Sequence, residues 1–165
     1  TASDVIELED ELQRWHQPGR PGPAIVLKIE TTQAVRHLPE LIVQAAGNRP
    51  TAVMIARGDL AVELGYNRMA EIQEELLWLC EAAHVPAIWA TQVLEHLAKE
   101  GVPSRAEVTD AAMAVRAECV MLNKGPFITE AVQLLDDVLT RMRAHQQKKT
   151  AQLRALHSWQ SLFEG

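Results

Sequence analysis

The 165 residues carry 22 acidic and 16 basic side chains, a formal net charge of -6, which gives no electrostatic footprint for nucleic acid or an anionic membrane. Hydrophobic residues make up 47% and no apolar run nears the roughly 20 residues of a membrane span, so the composition is that of a globular protein with a sizeable core. No signal peptide opens the chain, and Cys80 and Cys119 form no CxxC; a cytoplasmic setting with both thiols reduced and buried is expected.

In chain order, "TASDVIELEDEL" (1–12) is a helix opening, with Ser3 or Asp4 as the expected N-cap. "QPGRPGP" (17–23) is a loop feeding the first of four short apolar runs: "AIVLKI" (24–29), "TAVMIA" (51–56), "PAIWA" (86–90) and "CVMLN" (119–123). Each run is too short for a helix and lacks clean polar alternation, so each is predicted as a strand buried on both faces. Helical patterns lie between and after them, at 32–46, 66–84, 92–99, 105–117 and about 128–145. Ser104 with Glu107 three residues on forms a capping box ahead of the fourth pattern. Beyond residue 146, Leu153, Leu156, Trp159, Leu162 and Phe163 are spaced as a short amphipathic helix. The expected division is therefore 1–146, four βα units preceded by a helix, and a helical tail over 147–165.

Alternating strands and helices make this an α/β chain of parallel βα units. A doubly wound sheet usually carries a glycine-rich phosphate turn after one strand, and neither GxGxxG nor GxxxxGK[ST] occurs. A TIM-type (βα)8 barrel instead collects its chemistry at the C-terminal ends of several strands. Polar residues stand there: Lys28 and Glu30, Arg57 and Asp59, Thr91 and Gln92, Asn123 and Lys124. A full barrel takes about 250 residues, so four strands amount to half of one, and the fragment is expected to need the missing half or to self-associate.

Glu30 and Asp59 leave the ends of successive strands. Adjacent strands lie about 4.8 Å apart, so the two carboxylates can meet on one ion, and oxygen donors with open positions suit Mg²⁺ or Mn²⁺. The competing assignment makes Glu30 a cap of the following helix and Asp59 a cap of its own turn. Lys28 shares a strand face with Glu30, where it can neutralise a phosphoryl group or extend to solvent. Gly58 lets backbone approach a ligand. A helical turn starting at "GDLAVEL" would aim N–H groups at a carboxylate or phosphate, with Arg57 pairing an acid nearby. Thr91 either hydrogen-bonds a substrate or caps the helix that follows.

"LKIET", "VMIARGDLAVEL", "PAIWATQVLEHL" and "PSRAEVTDAAMAV", in this order and spacing, resemble the C-terminal half of the pyruvate kinase barrel. The resemblance runs from about residue 1 to residue 146. It implies a phosphotransferase moving phosphoryl from phosphoenolpyruvate to ADP, yielding pyruvate and ATP, with Mg²⁺ or Mn²⁺ held by Glu30 and Asp59. It implies Lys28 as the lysine supporting transfer, Ala56, Arg57, Gly58 and Asp59 as the turn holding the substrate carboxylate, and Thr91 as the residue near the protonated carbon. It implies further a homo-oligomeric glycolytic protein in the cytoplasm that binds neither nucleic acid nor membrane. One segment departs from the family: where a Ser-Gly-Glu-Thr-Ala sequence usually follows the last strand, this chain has "NKGPF", with Asn123 at the serine position. That departure keeps two other expectations in view, a metal-dependent lyase or aldolase acting on pyruvate enolate and a non-catalytic, metabolite-sensing homologue.

Overall fold

A computed structural model describes residues 1–17 and 19–146. The elements are α1 (Ala2–Arg14), β1 (Ile25–Ile29), α2 (Thr32–Arg36), α3 (Leu38–Ala46), β2 (Thr51–Ala56), α4 (Arg57–Leu64), α5 (Tyr66–Ala82), β3 (Ala87–Val93), α6 (Glu95–Glu100), α7 (Arg105–Met113), a 3₁₀ turn (Ala114–Arg116), β4 (Cys119–Leu122) and α8 (Ile128–Gln146). Strand order in the sheet is β1-β2-β3-β4. The expected tail at 147–165 lies outside the described residues. Among the described residues no helix is long and apolar enough to cross a membrane.

The described residues divide into two compact units, 1–87 and 88–146. In the first unit β1 and β2 pair in parallel, with Lys28 beside Met54 and Ile29 beside Ile55. The register puts Glu30, one residue past β1, level with Ala56 at the end of β2. Leu38, Leu41, Ile42 and Ala45 of α3 are buried at helical spacing, which is why α3 can cover β1 and β2. Leu60, Ile72 and Leu76 complete this core at 0–1% exposure.

In the second unit β3 and β4 are parallel, and α6 and α7 both rest on α8. Trp89, Val93, Leu94 and Ala98 are fully buried. The loop after β4 is pinned to α6. The Phe127 N–H donates to the Ala98 carbonyl at 3.0 Å. The Phe127 ring lies over Gly101, whose φ of +78° closes α6 in the left-handed region.

Several expectations are corrected. Strand β1 is buried on one face only: Ile25, Leu27 and Ile29 are covered while Val26 and Lys28 are exposed. Strand β4 alternates in the same way, and Cys119 on it is exposed. Period-two alternation hidden under aliphatic residues was the missed signal, because Val26 is as apolar as its buried neighbours. The N-cap of α1 is Thr1, not Ser3 or Asp4; Asp4 is the third helical residue and accepts from the Thr1 hydroxyl at 2.8 Å. The helix expected over 32–46 is interrupted at His37, which caps α3 ahead of Pro39. Strand β3 runs on to Val93, so the next helix starts at Glu95 rather than Gln92.

Candidate functional site

Strand β2 ends at Ala56 and α4 begins at Arg57 with no connecting loop. Ala56 is its N-cap, and Arg57, Gly58 and Asp59 form its first turn. The N–H groups of such a turn have no acceptor inside their own helix. Arg57 is buried at this junction and Leu60 anchors the turn in the core. This is the physical content of an arginine, a glycine and an aspartate at a strand mouth: the strand is converted at once into a helix, and Asp59 is carried to the rim, 55% exposed.

Lys28 lies on the open face of β1, and Glu30 follows one residue past its end. The Lys28 ammonium donates to the Glu30 carboxylate and lies 3.6 Å from Asp59 Oδ2. Two acids, one just past β1 and one in the first turn of α4, therefore converge on one cationic centre. The hydrogen bond to Glu30 raises the Lys28 pKa above the ordinary 10.5, desolvation is the next largest influence and opposes it, and the Coulomb attraction of Glu30 and Asp59 adds to the rise. Lys28 is a permanent cation at neutral pH.

Capping does not explain Glu30. Thr31 is the N-cap of α2, its hydroxyl accepting from the Ala34 N–H at 3.1 Å. Glu63 of α4 accepts from the Thr32 N–H at 3.5 Å, so the turn after β1 is tied to the helix that carries Asp59. Glu63 gave no signal in the sequence, where it is one more acid on a helix. Among the described residues no group of three or more His, Cys, Asp or Glu could hold a metal, so the candidate site here is a pair.

Thr91 belongs to the second unit. It is not a helix cap, since the N-cap of α6 is Leu94. Its backbone is left-handed, with φ of +65°, followed by Gln92 at +56° and Leu94 at +46°. Non-glycine residues rarely adopt that region, and such outliers gather at functional sites.

Ser104 and Glu107 form the expected capping box: the Glu107 N–H donates to the Ser104 hydroxyl at 3.2 Å and the Ser104 N–H donates to the Glu107 carboxylate at 3.0 Å. Glu107 also accepts from the backbone N–H of His96 at 2.5 Å. Partial burial pushes the Glu107 carboxyl up, but the two N–H donors outweigh it and hold the pKa below the ordinary 4.5. Glu95, Lys99 and Glu100 line the same hollow, Lys99 paired with Glu95 at 2.5 Å. A carboxylate whose folded pKa is lowered supports the fold above its unfolded pKa and loses that support as pH falls through the folded value. The side-chain carboxyl carbon of Glu107 should therefore keep a constant chemical shift from neutral pH down to about 4.5 and titrate only below it.

The family model described as "Pyruvate kinase, barrel domain" matches residues 1–132. The chain belongs to the pyruvate kinase family. It is 35% identical over 140 residues to plastidial pyruvate kinase 3, chloroplastic, of Arabidopsis thaliana, covering 81% of this chain and 24% of that protein. It is 36% identical over 143 residues to the pyruvate kinase of Candida albicans, covering 82% and 26%. A crystal structure of a pyruvate kinase from Cryptosporidium parvum superposes with a TM-score of 0.78 at 27% identity, over 92% of this chain and 34% of that one. The parallel βα units are thus part of a pyruvate kinase barrel, and the chain spans about a quarter of the length of the curated relatives it matches.

Proposed function

We propose that this chain supplies the metal- and phosphoryl-handling portion of a pyruvate kinase barrel, acting with the remaining barrel units on phosphoenolpyruvate and ADP. The observation that carries the reading is the Lys28 ammonium held between Glu30 and Asp59. It supports a divalent site because both acids already face one centre of positive charge, and because an all-oxygen pair with open positions suits Mg²⁺ or Mn²⁺. Glu30 and Asp59 would hold the ion. When bound, it supplies positive charge to an enolate and a phosphoryl oxygen.

The remaining steps belong to the chain's own residues. The first-turn N–H groups of α4, from Ala56 to Asp59, would orient the substrate carboxylate. Lys28 would stay protonated and neutralise the phosphoryl group as its bond to the enol oxygen breaks and a bond to an ADP oxygen forms. The enolate of pyruvate left behind takes a proton on its methylene carbon, and the Thr91 hydroxyl is assigned to that carbon. With three quarters of a relative's length outside this chain, the isolated 165 residues are expected to turn over poorly. Val26, exposed on the same face as Lys28, gives a surface for the other barrel units or for a second copy of the chain.

The deciding assay follows pyruvate formation from phosphoenolpyruvate and ADP by the complete polypeptide containing this chain. Formation should require Mg²⁺ or Mn²⁺ and should drop at least about 100-fold in Lys28→Met. Equal rates with and without metal, or an unaffected variant, overturn the reading. Asn123 at the usual serine position keeps the enolate lyase as a second reading. That reading requires pyruvate and metal to bind while ADP does not.

A further inference from the structure

The turn carrying Thr91 is held from outside itself. Trp89 pairs with Val120 and Val93 with Leu122, so three residues of β3 oppose Met121 alone. The bulge contains the left-handed Thr91 and Gln92, and the left-handed Leu94 follows it. Such backbone persists only where its surroundings over-determine it. Leu94 caps α6 but offers no side-chain acceptor to the first turn of that helix. The acceptor comes from α7, as Glu107 Oε1 takes the His96 N–H at 2.5 Å while Oε2 takes the Ser104 N–H at 3.0 Å. The His96 ring closes the circuit, its Nδ1–H donating to the Val102 carbonyl at 2.6 Å.

We propose that Glu107 is a positioning residue: by capping α6 from α7 it fixes the left-handed turn and so the place where the Thr91 hydroxyl is presented. The catalytic relevance of that placement rests on the role assigned to Thr91 above. The structural claim does not. A residue that merely caps its own helix would need only the bonds to Ser104, whereas the bond to His96 reaches the segment joined directly to the bulge.

The test uses the 165-residue chain without substrate, reading amide hydrogen exchange at His96 and the Cα shifts of Thr91, Gln92 and Leu94. Glu107→Ala should speed His96 exchange about tenfold, the loss of one charge-assisted hydrogen bond, and move all three shifts. Glu107→Gln keeps one acceptor and should produce a smaller change in the same direction; it carries the test if the alanine variant fails to fold. Ser104→Ala removes the local cap and should leave His96 and the three shifts unmoved. Unchanged exchange and shifts in both Glu107 variants, or equal changes in Ser104→Ala, overturn the proposal. Assays of the complete polypeptide separate the two claims. Glu107→Gln should lower kcat with the KM for phosphoenolpyruvate unchanged. Moved shifts with an unchanged kcat would count against the Thr91 assignment and leave the tie standing.

Discussion

Asp59→Asn and Glu30→Gln should each abolish measurable Mn²⁺ binding and lower metal-dependent turnover about 10²–10³-fold, the range seen when one preorganised charge-stabilising group is removed. Each change is nearly isosteric and sits on an exposed side chain, 41% for Glu30 and 55% for Asp59, so stability should barely alter. The pair is a sharper test than either member. If the acids only neutralise Lys28, either amide weakens one exposed ion pair, worth little, and Mn²⁺ affinity stays as it was. Lys28→Met separates the roles in the opposite sense. It frees both carboxylates from their internal cation, so Mn²⁺ affinity should hold or rise while phosphoryl transfer falls. Manganese titration followed by water-proton relaxation reads the affinities directly. Equal affinity across wild type, Asp59→Asn and Glu30→Gln would remove the metal site from the proposal.

Gly125→Ala is the second large effect, and it is structural. A Cβ at Gly125 would lie 2.0 Å from the Ala98 carbonyl oxygen and 2.6 Å from its carbon. Both are backbone atoms of α6, so no side chain can swing away. Overpacking at such a site costs about 3 kcal/mol, enough to displace the "NKGPF" segment and break the bond from the Phe127 N–H to Ala98. Urea unfolding should show the midpoint shift, and Gly19→Ala provides the comparison. Gly19 has a positive φ, which Gly125 does not, and nothing lies within 4 Å of its would-be Cβ; it should lose only the smaller penalty of a left-handed alanine. The segment that departs from the family pattern is thus fitted to α6 rather than loosely replaced.

The architecture was legible because βα repetition is written in residue type. Four aliphatic runs separated by helical patterns could serve little else than a parallel sheet. The acids and the lysine were legible for a related reason: polar residues ending apolar strands stand out, and the parallel register of β1 and β2 brings Glu30 and Asp59 to one rim. What escaped depends on contacts that no local pattern encodes. Helix α4 was legible only as a conditional helical turn from Gly58; that it starts at Arg57 and runs to Leu64 goes with the burial of Arg57 and Leu60. The reach of Glu107 to His96 and of Glu63 to Thr32 joins segments 11 and 31 residues apart. The exposure of Val26 is decided by what covers the sheet and not by the residue itself. Thr91 looked like a helix cap because threonine is common there, and the bulge that instead carries it has no sequence signature.

Three side chains held where glycine would be at ease have a consequence for how this protein tolerates change. Glycine would relieve that strain at the exposed Gln92, whereas at the fully buried Leu94 it would leave a cavity costing more than the strain it removes. The run therefore tolerates a strain-relieving change at Gln92 and resists the same change two residues later.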